Sequence, residues 1–298
     1  MIICGNLLVT GSVQLARYFK ISTMVVGLTI VAYGTSTPEV FIGVRAALDG
    51  SHDIALGNVI GSNIANIGFI LAIVALIIPI PIRNKSLGLD MSIMFGVTVL
   101  LLLFGLSGGI ISRIEGVLFL LILIVYTVWL VRKSRKNAKD EVIPTPTIKP
   151  LIATVMILVS FVGLYFGSGW FVDGARKLAI DWGVSERVIG ISIVAVGTSM
   201  PELIVSLVAI FKKEADLSIG NIIGSNFFNI VGVLGITAVV SPIVINDSGL
   251  FLSDMTWLFG ISIVLLLTML PIARGKIARS ESVVLLLIFA TYMFILYR

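Results

Sequence analysis

Two glutamates stand inside apolar stretches of the chain, Glu39 in GTSTPE (34–39) and Glu202 in GTSMPE (197–202). A carboxylate in hydrocarbon is costly unless it is partnered. No Lys or Arg lies within one helical turn of either one, so the available partners are protons or bound cations. The alternative is two glutamates held protonated for helix packing, but both occupy one unusual sequence, and that favours an ion site.

The surrounding residues add neutral oxygens. Pro38 and Pro201 have no amide hydrogen and crowd the carbonyls four residues back, those of Gly34 and Gly197, so each helix is expected to kink or break there. Carbonyls freed by such a break can turn inward as ligands. The hydroxyls of Thr35, Ser36, Thr198 and Ser199 are further donors. Every donor is hard, which favours Na+ and Ca2+ over Zn2+ or Cu2+.

A second motif follows each glutamate, GNVIGSNIANI (57–67) and GNIIGSNFFNI (220–230). Ser62 and Asn66 are four residues apart, as are Ser225 and Asn229, so each pair shares one helix face. Gly57, Gly61, Gly220 and Gly224 recur at every fourth position and permit close helix approach. Asn58, Asn63, Asn221 and Asn226 read as structural, tying broken helices together or bonding across spans.

Positioning these residues falls to membrane helices. Of 298 residues 58% are hydrophobic and 12% charged, too little polar surface for a soluble domain of this length. Continuously apolar runs place ten spans at roughly 1–19, 24–48, 54–81, 89–110, 111–131, 151–178, 188–211, 217–244, 252–271 and 281–297. They lack the alternation of barrel strands, so the expected class is all-α membrane.

Sliding the chain by 163 residues aligns VVGLTIVAYGTSTPE (25–39) with VIGISIVAVGTSMPE (188–202) and the two second motifs with each other, without a gap. The chain is a duplication, with halves 1–131 and 151–298 joined by a polar linker, 132–150, that reads as a flexible tether. Five spans per half is an odd number, which inverts the second copy relative to the first. Inverted repeats of broken helices are transporter architecture, with the site near the midplane. A cytoplasmic linker puts 15 of the 21 basic residues on the cytoplasmic side, so both termini are expected outside.

Several classes are disfavoured. The single Cys4 excludes an internal disulfide or a cysteine cluster, and the lone His52 an imidazole cage. The net charge of +5 is spread over short loops rather than one nucleic-acid-binding face. The opening MIICGNLLVTG lacks the charged region of a cleavable leader.

With a GTSxPE motif followed by a GSNxxN motif in both halves, the chain resembles the Ca2+/cation antiporter superfamily, and within it the prokaryotic sodium/calcium exchangers. The resemblance covers nearly the whole chain. It implies that Glu39 and Glu202 bridge Ca2+ and a central Na+ position, and that Thr35 and Thr198 give backbone carbonyls to Ca2+. Ala32, Ser36 and Ser62 would line one flanking Na+ site, Ala195, Ser199 and Ser225 the other, with Asn66 and Asn229 completing the centre. It also implies alternating access by sliding of the first and sixth spans. Ca2+ and Na+ are then substrates, with no cofactor, no catalytic residue and no obligate protein partner expected.

Two departures from the pattern stand out. Only Met1 to about Ser12 precede Gln14 in the first span, roughly 18 Å of helix at 1.5 Å per residue. Asn229 stands where potassium-dependent relatives have Asp, which implies K+-independent exchange. The rival readings are proton-coupled Ca2+ exchange, since buried glutamates can titrate, and a cation channel with a doubled acidic constriction.

Overall fold

The structure, a computed structural model, describes residues 1–82, 87–137, 144–181, 195–268 and 276–296. Its helices are α1 (Ile2–Phe19), α2 (Thr23–Thr35), α3 (Thr37–Leu48), α4 (His52–Ile77), α5 (Leu87–Gly108), α6 (Arg113–Asn137) and α7 (Pro150–Asp181). They continue with α8 (Ala195–Thr198), α9 (Met200–Phe211), α10 (Ala215–Val240), α11 (Ser248–Thr268) and α12 (Arg279–Leu296). Four two-residue strands join them: β1 (Ile80–Pro81), β2 (Ile110–Ile111), β3 (Ile243–Val244) and β4 (Lys276–Ile277).

Among the described residues seven helices are long and apolar enough to cross a bilayer, or eight if the broken pair α2 and α3 counts as one span. Helix α1 is not among them, and α9 is a shorter apolar helix. The expected span 188–211 lies outside the described residues from 188 to 194. One boundary differs from the sequence reading. Helix α6 runs six residues into the expected tether, because Lys and Arg suit a helix C-terminus and Lys133 Nζ rests 4.6 Å from the Trp129 ring centre. Helix α1 passes through Gln14, whose Oε1 accepts the amides of Thr147 (2.8 Å) and Ile148 (3.4 Å), so the end of the linker is held on α1.

The chain divides into two compact units that cut across its halves. Unit 1 comprises Met1–Ser36 and Ile124–Ser225, unit 2 Thr37–Leu123 and Asn226–Arg298.

In unit 1, glycines let backbones touch. A Cβ at Gly220 would lie 2.6 Å from the Met24 carbonyl oxygen, and one at Gly224 would lie 2.6 Å from the Leu28 backbone, so α10 lies directly on α2. That is the close approach expected of these positions. Gly57 and Gly61 have no described atom within 4 Å of such a Cβ, and the counterparts of Met24 and Leu28 are residues 187 and 191, outside the described set.

Unit 2 carries the imprint of the duplication. Strand β1 pairs antiparallel with β4, and β2 with β3. Strand β3 is β1 displaced by 163 residues, so each half gives one strand to each ladder. Helix α5 runs from β1 to β2 while α11 runs from β3 to β4, so these two equivalent helices are antiparallel. The helix ends repeat the exchange. Arg113 donates to the Val240 carbonyl at 3.5 Å, closing α10, and Arg279 donates to the carbonyls of Leu76 (3.0 Å) and Ile77 (3.4 Å), closing α4. Both arginines open helices held by a glutamate three residues beyond the cap: the Ser112 amide donates to Glu115 Oε2 at 2.6 Å, and the Ala278 amide to Glu281 Oε2 at 3.0 Å.

Candidate functional site

Both prolines break their helices as their chemistry requires. Helix α2 stops at Thr35, and Ser36 is non-helical with ψ 12° before α3 begins. Helix α8 stops at Thr198, and Ser199, with ψ 7°, precedes α9. Each proline thus lies in the first turn of the following helix, where a missing N–H costs nothing. In the second half the carbonyl freed by Pro201 is taken up: Ser168 Oγ on α7 donates to the Gly197 oxygen at 2.7 Å.

Unit 1 gathers Ala32, Thr35, Ser36, Thr198, Ser199, Glu202 and Ser225, all buried except that the side chain of Ala195, which opens α8, lies outside the described residues. The carboxylate of Glu202, 1% exposed, accepts the Ser36 hydroxyl at 2.9 Å through Oε1. Thr35 Oγ1 bonds Asn221 Oδ1 and the Ala32 carbonyl, each at 3.3 Å, and Ala32 also accepts the Ser36 amide at 3.0 Å. Asn221 Nδ2 reaches Ser206 Oγ at 3.0 Å and the Glu202 carbonyl at 3.4 Å, bracing the turn that carries the carboxylate. Among the described residues, three buried oxygens of this set have no hydrogen-bond partner: Glu202 Oε2, Ser199 Oγ and Ser225 Oγ.

Unit 2 gathers Glu39, Ser62, Asn66 and Asn229, all buried. Asn58 Nδ2 donates to the Glu39 carbonyl at 3.2 Å, the counterpart of Asn221 on Glu202. Asn66 opens a wide π-helical stretch, Asn66–Leu71, and Asn229 opens its counterpart, Asn229–Val233. A π turn inserts a residue into the helical ladder and re-aims the side chains around it, and such turns recur at functional sites. Asn66 Nδ2 donates to Asn226 Oδ1 at 2.9 Å and Asn229 Nδ2 to Asn63 Oδ1 at 3.0 Å, while the buried Asn66 Oδ1 and Asn229 Oδ1 have no partner among the described residues.

Each unit therefore collects one of the expected glutamates with neutral oxygens, all buried. Sequence reasoning left Asn58 and Asn221 as structural; they brace the glutamate carbonyls, and their place in a repeated motif was the available signal. Ser206 and Ser168 were missed. Their counterparts at the 163-residue offset are Gly43 and Gly5, so the repeat gave no sign of them.

A family model described as sodium/calcium exchanger protein matches residues 1–132 and 152–298. The chain is 37% identical to CaxA of Alkalimonas amylolytica over 97% of this chain and 92% of that protein. It is 28% identical to the sodium/calcium exchanger MaX1 of Methanosarcina acetivorans, over 97% and 93%. Among solved structures, the sodium-calcium exchanger NCX_Mj superposes with a TM-score of 0.83 at 31% identity, covering 99% of this chain and 94% of that one.

Proposed function

Because the chain belongs to the sodium/calcium exchanger protein family, we propose that it is a secondary antiporter exchanging Ca2+ for Na+ by alternating access, independent of K+. Members of this family are exchangers, transporters rather than enzymes, and the chain is a multi-pass membrane protein. One observation carries the reading: among the described residues, buried oxygens of the repeated motifs lack a hydrogen-bond partner, Glu202 Oε2, Ser199 Oγ and Ser225 Oγ in unit 1, Asn66 Oδ1 and Asn229 Oδ1 in unit 2. Leaving such groups unsatisfied costs about 1–3 kcal/mol each, more for a charged one. A bound hard cation removes that cost.

Glu39 and Glu202 together supply a charge of −2, which one Ca2+ neutralises. Thr35 and Thr198 carbonyls, Ala32 with Ser36 and Ser62, Ala195 with Ser199 and Ser225, and the two asparagine oxygens provide the remaining ligands. Na+ and Ca2+ have similar radii and use the same oxygens, so each excludes the other, and exchange follows from that competition. Sliding of α1 and α7 exposes the ions to one side at a time, and the Na+ gradient drives Ca2+ out. Ten spans in inverted halves serve this cycle. The antiparallel course of α5 and α11 and the exchanged strands and arginine caps support that arrangement. The linker faces the cytoplasm and both termini lie outside the cell.

The test is 45Ca2+ uptake into proteoliposomes under imposed Na+, K+ or H+ gradients. Uptake driven by outward Na+ alone supports the reading. Uptake that follows the H+ gradient and ignores Na+ would replace it with proton-coupled exchange.

A further inference from the structure

Four asparagines of unit 2 form a closed reciprocal set. Asn63 Nδ2 donates to the Asn226 backbone carbonyl at 3.2 Å, and Asn226 Nδ2 donates to the Asn63 carbonyl at 3.4 Å. Asn226 Oδ1 then accepts Asn66 Nδ2 at 2.9 Å, and Asn63 Oδ1 accepts Asn229 Nδ2 at 3.0 Å. All four side chains are 1% exposed. Asn63 and Asn226 are 163 residues apart, the offset of the repeat, and so are Asn66 and Asn229.

An amide has one accepting end and one donating end, and rotation by half a turn exchanges them. In this set no amide can turn alone. Reversing Asn226 would set its NH2 against that of Asn66 and its oxygen against the Asn63 carbonyl, two unfavourable contacts in a dry interior. Asn66 and Asn229 are therefore held with their NH2 groups on Asn226 and Asn63 and with oxygens that have no partner among the described residues.

We propose that Asn63 and Asn226 are positioning residues that act across the repeat: Asn226 of the second half orients the cation-ligating oxygen of Asn66, and Asn63 of the first half orients that of Asn229. The inference rests on the reading that Asn66 and Asn229 hold cations. Groups that orient a metal's ligands typically contribute 10–100-fold to affinity. A residue that only tied two helices together would change stability without regard to which ligand it touches.

The experiment is a set of double-mutant cycles on the full-length purified protein, reading 45Ca2+ affinity alongside thermal unfolding. Asn226→Ala should weaken Ca2+ binding about tenfold, close to the effect of Asn66→Ala. Combined, the two should cost little more than either alone, whereas Asn226→Ala with Asn229→Ala should multiply. The mirrored pair, Asn63→Ala with Asn229→Ala, should be non-additive in the same way, and it serves if the Asn226 variant does not fold. Additive effects within both pairs, or full affinity in folded Asn226→Ala and Asn63→Ala proteins, overturn the inference. Failure of both variants to fold while Asn66→Ala and Asn229→Ala fold overturns it in favour of a purely structural tie. If Asn66→Ala and Asn229→Ala both bind Ca2+ normally, the ligand reading fails and this inference with it.

Discussion

Ser168 Oγ, on α7, donates to the Gly197 carbonyl oxygen at 2.7 Å, the carbonyl that Pro201 deprives of its helical N–H. The hydroxyl substitutes for the missing amide at the point where α8 ends. Ser168→Ala should cost about 1–3 kcal/mol, since a buried acceptor is left unsatisfied, while Ser168→Thr retains the donor. Thermal unfolding in detergent reads the difference; equal stability of the Ala variant and the wild type would show the bond to be unimportant.

Glu39→Gln or Glu202→Gln should abolish Ca2+ exchange and leave the fold intact. The amide is nearly isosteric, and it removes a charge that is costly when no cation is bound. Transport assays paired with gel filtration check both halves of the claim, and near wild-type transport by either variant would refute the site assignment.

Gly224→Ala should destabilise the protein by about 1–3 kcal/mol, because the added methyl has to displace backbone rather than a flexible side chain. The Cβ would fall 2.6 Å from Leu28 Cα and 2.6 Å from its carbonyl oxygen. A shift of the unfolding midpoint measures it.

Replacing K+ by choline at fixed Na+ should leave Ca2+ flux unchanged. Two glutamates are already balanced by one Ca2+, and a further monovalent ion would be uncompensated in low dielectric. Collapse of flux would show that the neutral Asn229 does not set this selectivity.

With the linker in the cytoplasm, a cysteine introduced at the exposed Asn137 in a Cys4→Ser background should resist an impermeant thiol reagent applied to intact cells and react after permeabilisation. Labelling in intact cells would reverse the orientation.

Much of this was legible in the sequence because the duplication reads the same physics twice. The GTSxPE breaks at Ser36 and Ser199 follow from proline chemistry alone, and the buried partners of Glu202 come from the motifs themselves. The boundaries were less legible. The first span, read as 1–19, matches α1, but that the oxygen of Gln14 is satisfied by two amides 133 and 134 residues away is a long-range contact no local pattern reports. The extension of α6 to Asn137 depends on a polar helix end that hydropathy does not report. The asparagine set was beyond sequence reading for a different reason. Asn63 and Asn226 repeat as faithfully as Asn66 and Asn229, and only the hydrogen-bond pattern separates the residues whose oxygens are used from those whose oxygens are left over.

The claim that Ca2+ and Na+ compete for one set of oxygens is tested most directly by following both ions at once. Vesicles loaded with 22Na+ and supplied with external 45Ca2+ should release 22Na+ only as 45Ca2+ enters, and the Glu202→Gln protein should move neither. Release of 22Na+ at the same rate without external Ca2+ would contradict exchange and indicate a channel.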